Sequence, residues 1–380
     1  MSASETQDVA PATVAGMTVA VTGATGFIGG RLVEMLAAEG AEVTCLVRGT
    51  NTTTRMHRAG ARVTRLDLAD AKAVSAALRS TDVVFHLAYD WNNTKWNFKA
   101  LSALTDACLA NGTRLVFASS FVVYNLPDAG DVSEATAPTP AEDGYAHVKM
   151  QLESAVLRAA EERGLSASVL QPTIVYGPFS NPWTKQPAEQ LRFGTVVLPG
   201  RGEGLCNAVY VDDVASAMLL AATRVEALGQ RYLVSGPGPI TWSTFYEGMA
   251  QAIGAKPPQY WPVEAIRERA QAGRLKRIAA NPELAIRRLA NIGPVRKLVK
   301  AALRVAPLGL RREAQARLFG PDSRQPGRIH VPSLGHLQFL KGRTVMRTDK
   351  AERELGYKPA FDFEAGMAPT AKYLKSVDFS

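Results

Sequence analysis

The stretch that most constrains this chain is VAVTGATGFIGGRLVEMLAAEGAEVTCLVR, from Val19 to Arg48. It opens with an apolar run, Val19 to Thr22, that reads as a fully buried strand. Gly23, Gly26 and Gly29 follow at GxxGxxG spacing. An amphipathic helical pattern (Ile28, Leu32, Leu36) and a second apolar run complete the unit. A strand that feeds a glycine turn and then a helix N-terminus is an arrangement suited to holding a pyrophosphate. Gly23 permits the sharp turn, Gly26 lets backbone approach the phosphates, and Gly29 lets helix and strand pack closely. Thr25, Phe27 and Ile28 belong to the same turn and count with the three glycines as expected cofactor contacts. A glycine triplet alone also fits an ordinary turn. Here the strand, helix and second strand in their proper places favour dinucleotide binding.

Arg48 ends the second apolar run, where a carboxylate would hold the ribose hydroxyls of NAD and repel a 2′-phosphate. A guanidinium pairs with that phosphate. Arg48, with Asn51 or Arg55 as further candidates, therefore argues for NADP, with NAD as the alternative. RVTRLDLAD reads as a third strand, with Asp67 and Leu68 where an adenine-edge contact is expected. Val83 to Asp90 reads as a fourth, whose end at Leu87 and Ala88 suits close cofactor approach. Residues 96–111 carry helical periodicity, and RLVFASS returns to a strand ending in Ser119 and Ser120. Tyr145 and Lys149, at i and i+4, share one face of the next helix. Strands alternating with helices over residues 17–177 imply a doubly wound parallel α/β sheet.

TGATGFIGG, LDLAD, VFHLA, FASS with VY, the YxxxK of Tyr145 and Lys149, and QPTIVYGP occur in order and well spaced. As a set they resemble the extended short-chain dehydrogenase/reductase superfamily, which includes sugar-nucleotide epimerases, dihydroflavonol-type reductases and 3β-hydroxysteroid dehydrogenases. The resemblance covers about residues 17–250 and resumes in MRTDKAERELGYKPAFDFEAGM. It implies a Rossmann-like domain over 17–177 and a smaller C-terminal substrate-binding lobe over 178–380, partly interleaved with the Rossmann core.

Hydride transfer to a ketone needs a proton donor, and a free tyrosine, with a pKa of about 10, is a poor one near neutrality. A lysine cation one helical turn away stabilises the phenolate and brings the donor toward the working range. Tyr145 and Lys149 fit those roles without a metal. The resemblance adds that such a lysine contacts the nicotinamide ribose, so both residues also count as cofactor contacts. It places the substrate-orienting serine four residues before Tyr124, at Ser120, with Ser119 the adjacent alternative. It makes Asn97 a helix asparagine that supports the active site. Pro172, Ile174 and Tyr176 fall where the family's strand-end loop meets the nicotinamide, and equally suit plain turn and core packing.

Sugar-nucleotide epimerases commonly carry an RDYIHVDD-like stretch. Here the match reads CNAVYVDD, with Cys206 for the arginine, Asn207 for the acid and Tyr210 for the histidine. Losing that cation weakens the case for a nucleotide diphosphate. Asp212 and Asp213 are expected to cap the helix that follows.

The formal charge of +9 is uneven: Arg267 to Arg317 holds 14 Lys and Arg against Glu268, Glu283 and Glu313. This basic insertion spans about 262–341. Within it, Val295, Leu298, Val299, Ala302 and Leu303 fall on one helical face, and Arg296, Lys297, Lys300 and Arg304 on the other. Residues 284–318 thus suit an anionic membrane surface, or equally an ordinary surface helix packed on the substrate lobe. The segment lacks the aromatic interleaving of a nucleic-acid binder. Cys45, Cys108 and Cys206 show no metal-ligand spacing and read as reduced, mostly buried thiols of a cytoplasmic protein. Residues 1–16 lack the apolar core of a secretory signal and are expected to form a mobile tail. No apolar run reaches the roughly 18 residues that span a bilayer.

The expectation is an NADP-dependent oxidoreductase acting on a bulky hydrophobic, lipid-like ketone such as a keto-sphingolipid, a ceramide-type lipid or a sterol. It would be cytoplasmic, at the inner face of the membrane. The alternatives are an NAD-dependent nucleotide-sugar epimerase or dehydratase, and a non-catalytic dinucleotide-binding regulator. The family often dimerises through a four-helix face, so a homodimer is a further expectation of the resemblance.

Overall fold

A computed structural model of the chain describes residues 13–49, 52–124, 126, 128–139, 144–279 and 327–377. The amphipathic stretch 284–318 and Asn51 lie outside the described residues, as do residues 1–12 of the expected tail. Residues 13–16 are anchored, with Thr13, Ala15 and Gly16 exposed. Val14 is buried, and the Gly16 N–H donates to the Gly40 carbonyl at 2.9 Å.

The described chain forms two compact units. The first comprises residues up to Trp183 together with Asn207–Ile240 and Arg343–Pro369. The second comprises Thr184–Cys206, Thr241–Gly342 and the residues from Thr370 onward. The first boundary therefore falls at Trp183 rather than 177, and two later stretches return to the first unit.

The first unit is built on seven parallel strands: β1 (Thr18–Thr22), β2 (Glu42–Val47), β3 (Arg62–Arg65), β4 (Val83–His86), β5 (Arg114–Ala118), β6 (Ala167–Pro172) and β7 (Gln230–Val234). Their order is β7-β6-β5-β4-β1-β2-β3. β4 ends at His86, four residues short of the expected Asp90, and the chain runs on as an irregular turn.

β1, β4 and β6 are buried along nearly their whole length because helices cover both sheet faces. Ala20, Val84, Leu115, Phe117 and Val169 share one core with Leu101 and Leu104 of α2 (Thr94–Asn111) and Val148, Leu152 and Val156 of α3 (Gly144–Arg163). Alternate residues such as Val19 and Val21 point to the other face. β3 is largely exposed and carries Arg62 and Arg65, which suits a sheet edge.

The strand order reverses between β1 and β4, so their carboxyl ends open a crevice. α1 (Phe27–Ala38) starts at that point and packs against α4 (Val211–Thr223). Asp212 and Asp213 do not cap α4, whose N-cap is Tyr210 with no side-chain bond. Asp212 instead accepts two bonds from Arg31, at 2.7 and 2.8 Å. Asp213 is buried and accepts the backbone N–H groups of Ala360 at 2.7 Å and Phe361 at 3.3 Å. The pair ties α1 and the ELGYKPAF segment to α4, a tertiary task that local spacing does not reveal.

In the second unit, Gly194–Pro199 is the middle strand of a three-stranded parallel sheet with Gln259–Trp261 and Arg328–His330. Val197, Ile266 and Leu337 form its small core, and Trp242 is buried among Phe245, Tyr246 and Phe339. Among the described residues, no helix is long and apolar enough to cross a membrane.

Gly23 has φ +70°, and a Cβ there would lie 2.7 Å from the Ala88 nitrogen and the Leu87 carbonyl carbon. Gly23→Ala should therefore lower unfolding free energy by about 2–4 kcal/mol. Gly335→Ala, in the helix Leu334–Lys341 with nothing within 4 Å of its Cβ, should leave it unchanged or raise it by up to about 1 kcal/mol. Urea denaturation of the two variants checks the contrast.

Candidate active site

The crevice at the carboxyl ends of β1 and β4 begins with the glycine turn. The Gly26 N–H donates to the Gly23 carbonyl at 2.9 Å, closing the turn. Gly26 is the N-cap of α1 and has no side chain to satisfy the first-turn N–H groups, so these stay open to an anion. Thr25 and Gly26 are exposed, while Phe27 and Ile28 are half-buried. A Cβ at Gly29 would lie 2.3 Å from the Gly23 carbonyl oxygen. Gly29 thus clears the turn itself as much as the strand.

The neighbouring edge is fixed by Thr22. Its Oγ1 accepts the N–H groups of Leu87 and Ala88, both at 3.2 Å, and lies 2.8 Å from His86 Nδ1. With those acceptor positions occupied, the hydroxyl proton goes to Nδ1 and the His86 hydrogen sits on Nε2. His86 stays neutral: burial, then the nearby Lys149 cation, pushes its pKa down to about 3.

At the end of β2, Arg48 is half-exposed. Its Nη2 donates to Asp90 Oδ2 at 2.8 Å, and its guanidinium lies 4.6 Å over the Trp96 ring. Arg65 on β3 donates to the adjacent Gly49 carbonyl, bringing a second guanidinium to this edge. Arg55 is not available there, since it binds Glu34 through two bonds at 2.5 and 2.9 Å. Asp67 accepts the Trp96 indole N–H at 2.6 Å and the Ala69 N–H at 3.0 Å. These bonds hold its carboxyl below the ordinary range, backbone donation from Ala69 first. The Leu68 side chain is buried in the core, so only its backbone can face a ligand.

Ser120, Tyr145 and Lys149 converge on the end of β5. Burial, then the Tyr89 phenol, pushes the Tyr145 hydroxyl upward and Ser120 opposes that push; contrary to expectation, Lys149 is not among the groups that lower it. Lys149 is buried; its Nζ donates to the Ala118 carbonyl at 2.7 Å and lies 5.2, 5.1 and 5.9 Å from the ring centroids of Tyr89, Phe117 and Tyr145. Burial pulls its pKa down to about 8, against the raising effect of Glu153.

Ser119 points the other way, as alternation along a strand end requires. Its Oγ donates to Glu153 Oε2 at 2.5 Å. Gln171 Nε2 donates to both Glu153 oxygens, at 2.9 and 3.0 Å. The Tyr124 hydroxyl donates to Gln171 Oε1 at 2.8 Å, which fixes the amide orientation. Arg231 stands 3.6 Å from Glu153 Oε1. Burial pushes the Glu153 carboxyl upward, and Ser119, Gln171 and Arg231 each oppose that push.

Asn97 touches neither Tyr145 nor Lys149 in any hydrogen bond described. It accepts the Asp90 N–H at 2.8 Å and donates to the Asp90 carbonyl at 3.0 Å. Its action on the site is therefore through the turn 88–92. Pro172, Ile174 and Tyr176 are buried. Tyr176 packs with Tyr210 and Phe363, so its side chain serves the core. Asn207 likewise ties strands together, through Thr344 at 2.9 Å and Met346 at 3.0 Å.

Residues 19–235 match the NAD dependent epimerase/dehydratase family. The chain belongs to that family. A 2-alkyl-3-oxoalkanoate reductase of Shewanella oneidensis is 28% identical over 260 residues, covering 63% of this chain and 66% of that enzyme. A 4-hydroxy-2-methyl-3-oxo-4-farnesyl-3,4-dihydroquinoline-1-oxide ketoreductase of Stigmatella aurantiaca is 25% identical over 363 residues, 91% of this chain and 93% of that one. The UDP-glucose 4-epimerase of Thermotoga maritima superposes with a TM-score of 0.66 at 20% identity, over 94% and 99% of the two chains. At that identity the likeness shows the fold.

For this epimerase/dehydratase family member, sequence reading missed Glu153, Gln171, Tyr89, Trp91 and Arg65. The signal for Glu153 was its position one turn after Lys149 on the same face; the others carry no local mark.

The buried ammonium sets a pH window. Between about 8 and the ordinary lysine value of about 10.4, the unfolded chain holds a proton that the native Lys149 has lost. Stability from this group therefore rises with pH through that window, while a role that needs the cation is lost. The rate of the oxidoreductase reaction should fall as pH rises through about 8. Glu153→Gln, which removes the opposing charge, should move that fall to lower pH. A kcat/KM profile of both proteins reads the shift.

Proposed function

We propose that this chain is an NADP-dependent ketoreductase acting on a ketone with a bulky hydrophobic substituent. One observation carries the reading: Lys149 Nζ, 5.9 Å from the Tyr145 ring, and Ser120 at the end of β5 lie in the same unit as the glycine turn. The turn fits a dinucleotide, because Gly26 leaves the first-turn N–H groups of α1 uncapped and, with Thr25, is exposed. Bound there, the nicotinamide supplies the hydride. The chain's own residues handle the oxygen. Ser120 and Tyr145 donate hydrogen bonds to the carbonyl, Tyr145 releases its proton to it, and Lys149 stabilises the phenolate left behind. Glu153, buried one turn further on, keeps the lysine charged against its burial.

Arg48 supports NADP over NAD. It stands at the end of β2, and a 2′-phosphate would replace Asp90 as its partner. The substrate class draws on relatives named for reducing a 2-alkyl-3-oxoalkanoate and a farnesylated oxoquinoline. A keto-sphingolipid, a ceramide-type lipid or a sterol ketone belongs to the same class. The proposal extends to an anionic membrane surface for residues 284–318, on their sequence pattern.

Purified protein should oxidise NADPH with a hydrophobic 3-oxo acid, and Tyr145→Phe should lower kcat by about 10²–10⁴-fold. Arg48→Ala should raise KM for NADPH by about 10–100-fold and leave NADH within about threefold. Conversion of a nucleotide sugar with tightly held NAD, and no ketone turnover, would overturn the reading. Sedimentation with anionic vesicles should be salt-sensitive and abolished by changing Arg296, Lys297, Lys300 and Arg304 to Glu; wild-type protein that stays in the supernatant sinks the membrane extension.

A further inference from the structure

An indole lies on the face of the candidate proton donor. Trp91 stacks on Tyr145 with ring centroids 4.7 Å apart and planes 25° apart. Tyr89 meets both rings edge-on, at 5.0 Å to Trp91 and 5.1 Å to Tyr145. Trp91 nevertheless remains 72% exposed, the largest value among the exposed large hydrophobic residues described. An exposed indole is costly to leave in water. This one is also held on a tied turn. Asn97 clamps both backbone groups of Asp90, and the Asp90 carboxylate takes the Asn92 N–H at 2.9 Å and Arg48 at 2.8 Å. Three of these bonds do not involve Arg48, so the indole is presented on a defined turn also when Arg48 turns to a 2′-phosphate.

We propose that Trp91 is a specificity-determining residue: its exposed surface is the apolar wall that receives the hydrophobic substituent of the ketone. This rests on the ketone-reduction reading above and deepens it. The carbonyl oxygen is held at the Tyr145 and Ser120 hydroxyls, so a group one or two bonds from the carbonyl carbon reaches the ring stacked on Tyr145. An alkyl or prenyl substituent there removes apolar surface from water on both sides. A sugar hydroxyl placed on the same surface loses a water partner and gains no hydrogen bond. Trp91 thereby selects for lipid-like ketones and against polyhydroxylated ones. Tyr89 backs the indole edge-on, and Asn97 acts as a positioning residue for the turn.

The test compares 2-octyl-3-oxodecanoate with acetoacetate as NADPH-dependent substrates of wild type, Trp91→Ala and Trp91→Phe. For Trp91→Ala, the ratio of kcat/KM on the octyl substrate to that on acetoacetate should fall about tenfold or more. Trp91→Phe should recover most of the loss. Thermal stability of all three should match, because the side chain is largely exposed. A binding readout separates this proposal from the reaction. Titration with the non-reducible 2-octyl-3-hydroxydecanoate should change the tryptophan fluorescence of wild type and leave that of Trp91→Phe nearly unchanged. Equal losses on both ketones, or an equal fluorescence change in both proteins, overturn the role of Trp91. A fluorescence change specific to wild type without turnover of either ketone keeps the wall and overturns the ketone-reduction reading.

Discussion

The structure depends on a close approach of backbone to backbone. The turn at Gly23 meets Leu87 and Ala88 with no room for a side-chain carbon between them. Thr22 holds the contact by accepting both N–H groups, and His86 completes it from the same strand end. Because β1 and β4 are neighbours at the point where strand order reverses, this contact sets the floor of the crevice. The uncapped N-terminal end of α1 rises from it.

Beside that edge, the chain buries a cation and an anion on one helix. Isolated, each would cost several kcal/mol. Lys149 is offset by the Ala118 carbonyl and three aromatic faces, and Glu153 by Ser119, Gln171 and Arg231. The two residues lie one helical turn apart, and the carboxylate that raises the lysine pKa also anchors α3 to β5 and β6. Packing and acid–base tuning are one arrangement here.

A second layer comes from the turn after β4. Arg48, Asp90 and Asn97 knit the end of β2 to that turn and to α2. A residue that reads as catalytic by resemblance, Asn97, works at one remove: it holds the backbone between Tyr89 and Trp91, whose rings meet Tyr145.

The local signals were sufficient for much of this. Buried parallel strands leave continuous apolar runs, a positive φ demands glycine at Gly23, and an i, i+4 pair puts Tyr145 and Lys149 on one face. Each rests on near neighbours in the chain, so the sequence by itself determined the doubly wound sheet, the glycine turn and the tyrosine–lysine pair. Only the tertiary structure decided which way the Ser119–Ser120 pair divides, because that depends on Glu153, thirty-four residues from Ser119. The same holds for Asp212 and Asp213, whose partners are Arg31 and residues 360–361, and for the removal of Arg55 from the β2 edge by Glu34. Trp91 over Tyr145 joins side chains fifty-four positions apart. Hydrogen bonds and ring stacking reach only a few ångströms, and periodicity carries no record of which distant residues folding brings within that reach.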